Sequence, residues 1–248
     1  MTPLPTVCIL AGGLGSRLDS RVAELPKALI EVAGEPFLLH QLRLLAGQGA
    51  GEVVLCVGYR GEQVEQRIGH EQFGLRIEYS YDTPTLDGTL GAIRRALPLL
   101  PDRFLVLYGD TYLRLDYAGA AAAWHASGLL GLMTVFRNEG RWGRSNAEYA
   151  DGRVLSYDKA APTPQMQWID YGLGGLRTSS LGLVAAEERD LAVLYRHLAE
   201  VGELYGYEAS ERFYEIGSAQ ALAETDAFLR TRPAHGQALP ANGAGTAE

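Results

Sequence analysis

The sequence predicts an α/β fold with a mixed, mostly parallel central sheet flanked by helices, on three observations. Short apolar, β-branched runs at Val7–Leu10, Glu52–Gly58 and Phe104–Tyr108 read as strands buried on both faces. Helical stretches lie between them, and a strand–helix–strand order calls for right-handed crossovers and parallel pairing. Hydrophobic residues make up 47% of the 248-residue chain, ample for a packed core around such a sheet.

The elements follow in order. Ala28–Val32 reads as a short extended segment after the first strand, and Pro36 suits a first helical turn. From Phe37 to Gln48, Leu38, Leu42 and Leu45 recur at helical spacing, and Gly47 and Gly49 end the helix. The strand Glu52–Gly58 is followed by a helix from about Glu62 to Ile68 and a strand from Arg76 to Tyr81. Asp82 to Leu97 begins as a turn-rich loop and becomes a helix, with Thr89 its expected N-cap. After Phe104–Tyr108 come an alanine-rich helix, Asp116 to Ser127, and a strand, Leu129 to Arg137. Further strands are expected near Ala147–Tyr149, Arg153–Lys159 and Trp168–Leu176, continuing the same sheet. Leu191, Leu194, Leu198 and Val201 form one helical stripe read as core, and a last helix closes the domain. Residues 1–230 thus read as one domain, with halves 1–137 and 138–230, and 231–248 as a disordered tail poor in large apolar groups.

Composition excludes several function classes. A formal net charge of −8 argues against nucleic acid as a partner, which needs a basic stripe. An acidic chain that binds a polyanion must concentrate its cations locally and borrow a metal ion. Cys8 and Cys56 both lie in apolar runs and read as reduced core thiols, with no metal-binding spacing. No apolar run reaches membrane-spanning length and the N-terminus lacks a basic leader, so a cytoplasmic protein without a membrane partner is expected, as monomer or homodimer.

The stretch that organises the chain is Leu10-Ala11-Gly12-Gly13-Leu14-Gly15-Ser16-Arg17, with Pro26-Lys27 downstream. Glycines let backbone N–H groups approach phosphate oxygens, and Arg17 and Lys27 supply the charge a triphosphate needs. The dinucleotide fingerprint G-x-G-x-x-G is absent, since Leu18 stands where its last glycine belongs, and so is the P-loop. Gly88 and Thr89, at the start of a helix, present N–H groups to a base or phosphate. Gly109-Asp110-Thr111 puts a carboxylate at the carboxyl end of a central strand, usually only a turn former but also suited to Mg²⁺. Trp142, in a loop, is either a packing anchor or a stacking face for a sugar.

The string L-A-G-G-L-G-S-R-L, followed by P-K-A-L-I-E-V-A-G-E-P, closely resembles the signature of sugar-1-phosphate nucleotidyltransferases, and later motifs extend the resemblance to about residue 230. Within that family the chain looks most like the bacterial D-glycero-D-manno-heptose 1-phosphate guanylyltransferases, with muramic-acid-type uridylyltransferases next. The resemblance implies a Rossmann-like (GT-A-like) fold and transfer of a nucleotidyl group from a nucleoside triphosphate, GTP favoured, to a sugar 1-phosphate, releasing pyrophosphate. It implies nucleotide contacts from Leu10, Ala11, Gly12, Gly13, Gly15, Ser16, Gly88 and Thr89, and catalytic roles for Arg17, Lys27 and Asp110. Arg17 would hold the β,γ-phosphates and Lys27 the α-phosphate. Mg²⁺ would be held by Asp110 and by Glu215, which stands where the family has aspartate. The acceptor side would use Lys159, Asp170 in place of the family's asparagine, Gly172 and, near the sugar, Trp142. Asp87 replaces an apolar residue of the base-binding loop. The acceptor phosphate is ionised at neutral pH, so no general base is required, and none of the five histidines lies in a motif. The alternatives are a cytidylyl- or uridylyltransferase acting on another small phosphate or phosphonate, and a non-catalytic relative that binds nucleotide sugars. A metal-dependent glycosyltransferase would want D-x-D where this chain has Asp110-Thr111-Tyr112.

Overall fold

The computed structural model describes residues 4–13, 25–83 and 87–231. The first half lays down β1 (Val7–Leu10), the two-residue strands β2 (Glu31–Val32) and β3 (Glu35–Pro36), and α1 (Phe37–Gly47). It continues with β4 (Glu52–Val57), α2 (Gly61–Ile68), β5 (Glu71–Gln72), β6 (Leu75–Tyr81), α3 (Gly88–Ala96), β7 (Arg103–Tyr108), β8 (Thr111–Tyr112) and α4 (Tyr117–Ser127). The second half adds β9 (Gly131–Arg137), β10 (Ala147–Ala150), β11 (Arg153–Tyr157), β12 (Trp168–Arg177), α5 (Leu191–Glu200), β13 (Leu204–Ala209), β14 (Tyr214–Glu215) and α6 (Ala219–Arg230).

Ten of these strands form one sheet in the order β10-β11-β13-β9-β12-β7-β1-β4-β6-β5. The period-2 alternation of each central strand divides its side chains between two cores. Val7 and Ile9 of β1, Val53, Leu55 and Val57 of β4, and Leu105 and Leu107 of β7 pack with α1, α2 and α4 on one face. Cys8, Val54, Cys56, Phe104 and Val106 pack with α3 and α5 on the other. Each fully buried Leu or Ile contributes roughly 1.5–3 kcal/mol, and this two-sided burial explains why the strands read as unbroken apolar runs. Cys8 and Cys56 are free thiols, as expected, with their sulfurs 3.4 Å apart.

The sheet is mixed, and the expected mostly parallel pairing holds for only part of it. Parallel ladders join β7, β1, β4 and β6, and also β9 and β13. The long strand β12 runs antiparallel to both β7 and β9, and β10 to β11. The cause is the connections: crossovers through helices allow parallel pairing in the first half, whereas β10 and β11 are joined by two residues. Asp151 and Gly152, both at positive φ, make that tight hairpin.

Smaller expectations are corrected. Lys27–Leu29 is a 3₁₀ turn rather than extended chain, and Pro36 pairs in β3 immediately before α1 rather than opening it. Asp87, not Thr89, occupies the N-cap position of α3, and no side chain caps that helix. Val201 is 51% exposed because α5 ends at Glu200, which removes it from the core stripe. Lys159 lies two residues beyond the end of β11. Residues 232–248, the expected tail, lie outside the described residues.

Candidate active site

The carboxyl ends of β7, β1, β4 and β6 open onto a cavity of about 590 Å³, the position at which open α/β sheets bind ligands. Leu10, Ala11, Gly12 and Gly13 line it from β1, Tyr108, Gly109 and Asp110 from β7, and Gly217 and Ser218 from the start of α6. Gly15, Ser16 and Arg17 lie outside the described residues.

At the β7 end, Lys27 Nζ sits 2.6 Å from Asp110 Oδ2, with the lysine largely buried and the aspartate partly open. The two come from segments 83 residues apart, so the sheet brings the first motif to the second. Gly109 allows this crossing: a Cβ there would lie 2.8 Å from the Leu10 carbonyl oxygen, to which the Gly109 N–H instead donates at 3.0 Å. Glu215 reaches the same cavity because β14 pairs antiparallel with β8, setting Glu215 opposite Thr111, and the Ile216 N–H donates to the Asp110 carbonyl. Two carboxylates on one wall are a donor set that fits a hard divalent cation sharing phosphate oxygens and water. No cluster of three or more metal-binding side chains occurs among the described residues, so such an ion would rely on those outside ligands.

The sequence reading missed Gln41. It is buried on α1, and its Nε2 donates to the carbonyls of Tyr108 at 2.9 Å and Thr111 at 2.7 Å, clamping the turn that carries Asp110. The signal was a polar residue in the apolar stripe, at i+3 from Leu38 and i+4 before Leu45. Asp82 was missed too. It follows β6, lines the cavity and sits at a strand end much as Asp110 does. Burial, then the neighbouring Asp87 charge, pushes its pKa up to about 6, against the opposing pull of Arg95.

Gly88 and Thr89 line the cavity, and the Thr89 hydroxyl accepts the Leu191 N–H at 2.9 Å. Gly88 has φ +70°, and a Cβ there would lie 2.6 Å from the Arg189 carbonyl, so α3 and the segment before α5 dock closely. Asp87 accepts from Arg95 at 2.6 Å and Thr83 at 2.5 Å, which holds its pKa below the usual carboxylate range.

The acceptor-side residues do not line this cavity, but part of the set gathers beside it. Lys159 Nζ lies 3.3 Å from Asp170 Oδ2 and 5.2 Å from the ring centre of Tyr108, a cavity-lining residue. Asp170 is nearly buried and accepts from the Tyr157 hydroxyl and the Gly172 N–H. Gly172, at φ +111°, backs onto Thr111. Trp142 is apart from this group: the Arg212 guanidinium covers its ring at 3.7 Å and also lies over Tyr214.

No helix among the described residues is long and apolar enough to cross a membrane. Comparison with known proteins agrees with this architecture. The chain is 38% identical over 108 residues to D-glycero-alpha-D-manno-heptose 1-phosphate guanylyltransferase of Campylobacter jejuni, covering 44% of this chain and 48% of the relative. It is 33% identical over 224 residues to CMP-5'-(3-aminopropyl)phosphonate synthase of Streptomyces rubellomurinus, covering 87% of this chain and 33% of the relative. The matches thus span half or less of these relatives' lengths. Among solved structures, HddC from Yersinia pseudotuberculosis complexed with GMP-PN superposes with a TM-score of 0.75 at 22% identity, covering 91% and 99% of the two chains. A putative glucose-1-phosphate thymidylyltransferase from Bacillus anthracis gives 0.81 at 19% identity, covering 94% and 97%. These likenesses show a shared mixed α/β fold. The profile of the MobA-like NTP transferase domain matches residues 7–208, from the first strand through nearly all of β13, and the chain belongs to that family.

Proposed function

We propose that this chain transfers a nucleoside monophosphate, GMP from GTP first among the candidates, to a sugar 1-phosphate and releases pyrophosphate. One observation carries the reading: a lysine and two carboxylates, Lys27, Asp110 and Glu215, converge on one cavity at the strand ends. Residues 1–137 would hold the nucleotide and 138–230 the acceptor. A phosphate oxygen of the acceptor attacks the α-phosphorus in line. A new P–O bond forms as the bond to the bridging oxygen of the β-phosphate breaks, and pyrophosphate leaves with the electron pair. Lys27, held in place by Asp110, neutralises charge growing on the α-phosphate. Arg17 would grip the β,γ-phosphates, and Lys159, tethered to Asp170 beside Tyr108, would orient the acceptor. Asp110 and Glu215 would hold Mg²⁺, which would supply positive charge to neutralise the phosphates.

The test is a panel of four nucleoside triphosphates against several sugar 1-phosphates, scored by pyrophosphate release with and without Mg²⁺. Lys27→Ala and Asp110→Ala should each lower kcat/KM at least a hundredfold, about 2.7 kcal/mol. Turnover near the wild-type rate in both variants would remove these roles. The long match to the Streptomyces relative favours a second reading, cytidylyl transfer to a phosphonate. Adding CTP with an alkylphosphonate acceptor to the panel separates the two.

A further inference from the structure

Only two of the chain's 22 lysines and arginines are lysines, Lys27 and Lys159. Lysine is ordinarily among the commonest residues, so the two positions that keep it invite comparison. Lys27 lines the cavity and Lys159 lies beside it, and each ammonium is paired with an aspartate, Asp110 and Asp170. An ammonium is a compact charge with three donors, so it can give one to a carboxylate and keep the others for a phosphate.

Among the described residues, the contacts of the Asp170 side chain are all donors. Its Oδ1 accepts the Gly172 N–H at 3.1 Å, and its Oδ2 accepts the Tyr157 hydroxyl at 3.2 Å and faces Lys159 Nζ at 3.3 Å. The pairing of β12 with β9 shifts register between Asp170 and Gly174, where Gly172 at φ +111° folds its N–H back onto the carboxylate. A carboxylate accepts all three contacts, whereas an asparagine would have to turn its NH₂ group toward the Gly172 N–H or the Lys159 ammonium. With its side chain 7% exposed and both oxygens engaged, Asp170 has little to offer a sugar hydroxyl. Lys159 is the open member of the pair at 43% exposed. Its ammonium lies 5.2 Å from the ring centre of Tyr108 and 5.8 Å from that of Tyr157, and Asp158 Oδ1 fixes the adjoining turn by accepting the Ala160 and Ala161 N–H groups.

We propose that Asp170 is a positioning residue, held by the Tyr157 hydroxyl, that aims the Lys159 ammonium at the acceptor phosphate and does not itself touch the sugar. The assignment rests on the transferase reading and divides the acceptor side between a residue that binds and two that hold it.

NMR of the reductively ¹³C-methylated protein tests this without turnover. Methylation keeps the lysine charge, and two lysines give two side-chain signals, that of Lys159 being the one lost in Lys159→Met. Inorganic phosphate should shift the Lys159 signal of wild type. Asp170→Asn should displace that signal in the free protein and need at least about threefold more phosphate for half the shift, the low end for one hydrogen bond. Tyr157→Phe, which keeps the ring, should act in the same direction, and unfolding curves check that both variants fold. In pyrophosphate release, Asp170→Asn should raise KM for the sugar 1-phosphate at least about threefold while KM for GTP stays within twofold. On a Lys159→Met background it should change the acceptor KM by less than twofold, because the two side chains act as a unit. Full additivity with Lys159→Met would mean that Asp170 meets the sugar itself and would overturn the proposal. So would equal shifts in both KM values, or a wild-type Lys159 signal indifferent to phosphate. Absence of pyrophosphate release with every acceptor would instead sink the transferase reading, while a phosphate response that weakens in Asp170→Asn would still uphold the placement of Lys159.

Discussion

Asp82 Oδ1 is shielded from solvent and has no hydrogen-bond partner among the described residues, so its carboxylate should cost the protein stability, and that cost can be worked out. Its carboxyl titrates at about 6 in the folded chain against an ordinary 3.8. Each unit corresponds to 1.36 kcal/mol, so two units would amount to about 3 kcal/mol, and solvent screening of a half-exposed group reduces this to about 1 kcal/mol. The sign follows from linkage: the folded state holds this proton more tightly than the unfolded state does. The group's contribution is therefore fully present below 3.8 and lost as pH rises through about 6. Asp82→Asn cannot ionise, so its stability relative to wild type should rise across this window and level off above about pH 7. For a chain of this size 1 kcal/mol corresponds to roughly 2–4 °C in Tm. Thermal unfolding followed by circular dichroism from pH 4.5 to 7.5, without nucleotide, reads the difference directly. A variant-minus-wild-type Tm that stays flat across that range would refute the reasoning.

Three further outcomes follow from contacts in the structure. Gln41→Leu keeps the side-chain volume but strips both donors from the turn carrying Asp110. It should lower kcat about tenfold and raise the Mg²⁺ concentration for half-maximal pyrophosphate release, and an unchanged Mg²⁺ titration would limit Gln41 to packing. Gly88→Ala forces a Cβ onto the Arg189 carbonyl at a left-handed φ, so denaturant unfolding should show a loss of at least about 2 kcal/mol. Unaltered stability would mean that the segment before α5 can move away freely. Lys159→Met should raise KM for the sugar 1-phosphate about tenfold while KM for GTP stays within twofold, and equal shifts in both would take Lys159 off the acceptor side.

Much of this was legible because the strands are buried on both faces. Val7–Leu10 and Phe104–Tyr108 cannot be anything but central strands once their unbroken apolar character is noticed, and their ends then place Gly12 and Asp110 together. The helix stripe of α1 was equally plain, and within it Gln41 should have been conspicuous, since a polar group at a core position must find partners. Asp82 was hidden because its burial depends on what surrounds it; a strand-end aspartate in a turn-rich loop has an ordinary explanation. A mixed sheet was expected, but the extent of its antiparallel pairing was missed although Asp151-Gly152, a strong hairpin signal, stood in the sequence. The contact between Trp142 and Arg212 was not legible, because the two are 70 residues apart and nothing local announces it.

The antiparallel strand also sets which residues lie beside the cavity. In β12, Leu173 pairs with Leu107 and Arg177 with Arg103, so the strand enters beside the carboxyl end of β7 and leaves beside its start. The residues just before Leu173, Asp170 and Gly172, therefore run past the turn that carries Asp110, and Gly172 backs onto Thr111. A parallel β12 would deliver its first residues to the opposite edge of the sheet, far from the cavity. Gly174 and Gly175 hold that direction in place: Cβ atoms there would lie 1.9 Å from the Tyr195 hydroxyl and 2.8 Å from the Trp124 ring. The reversal of one strand thus brings Asp170, with Lys159 paired to it, beside the cavity formed by the parallel half. It also explains why the two halves of the chain share one sheet: the junction between β7 and β12 is where the two substrates would have to meet.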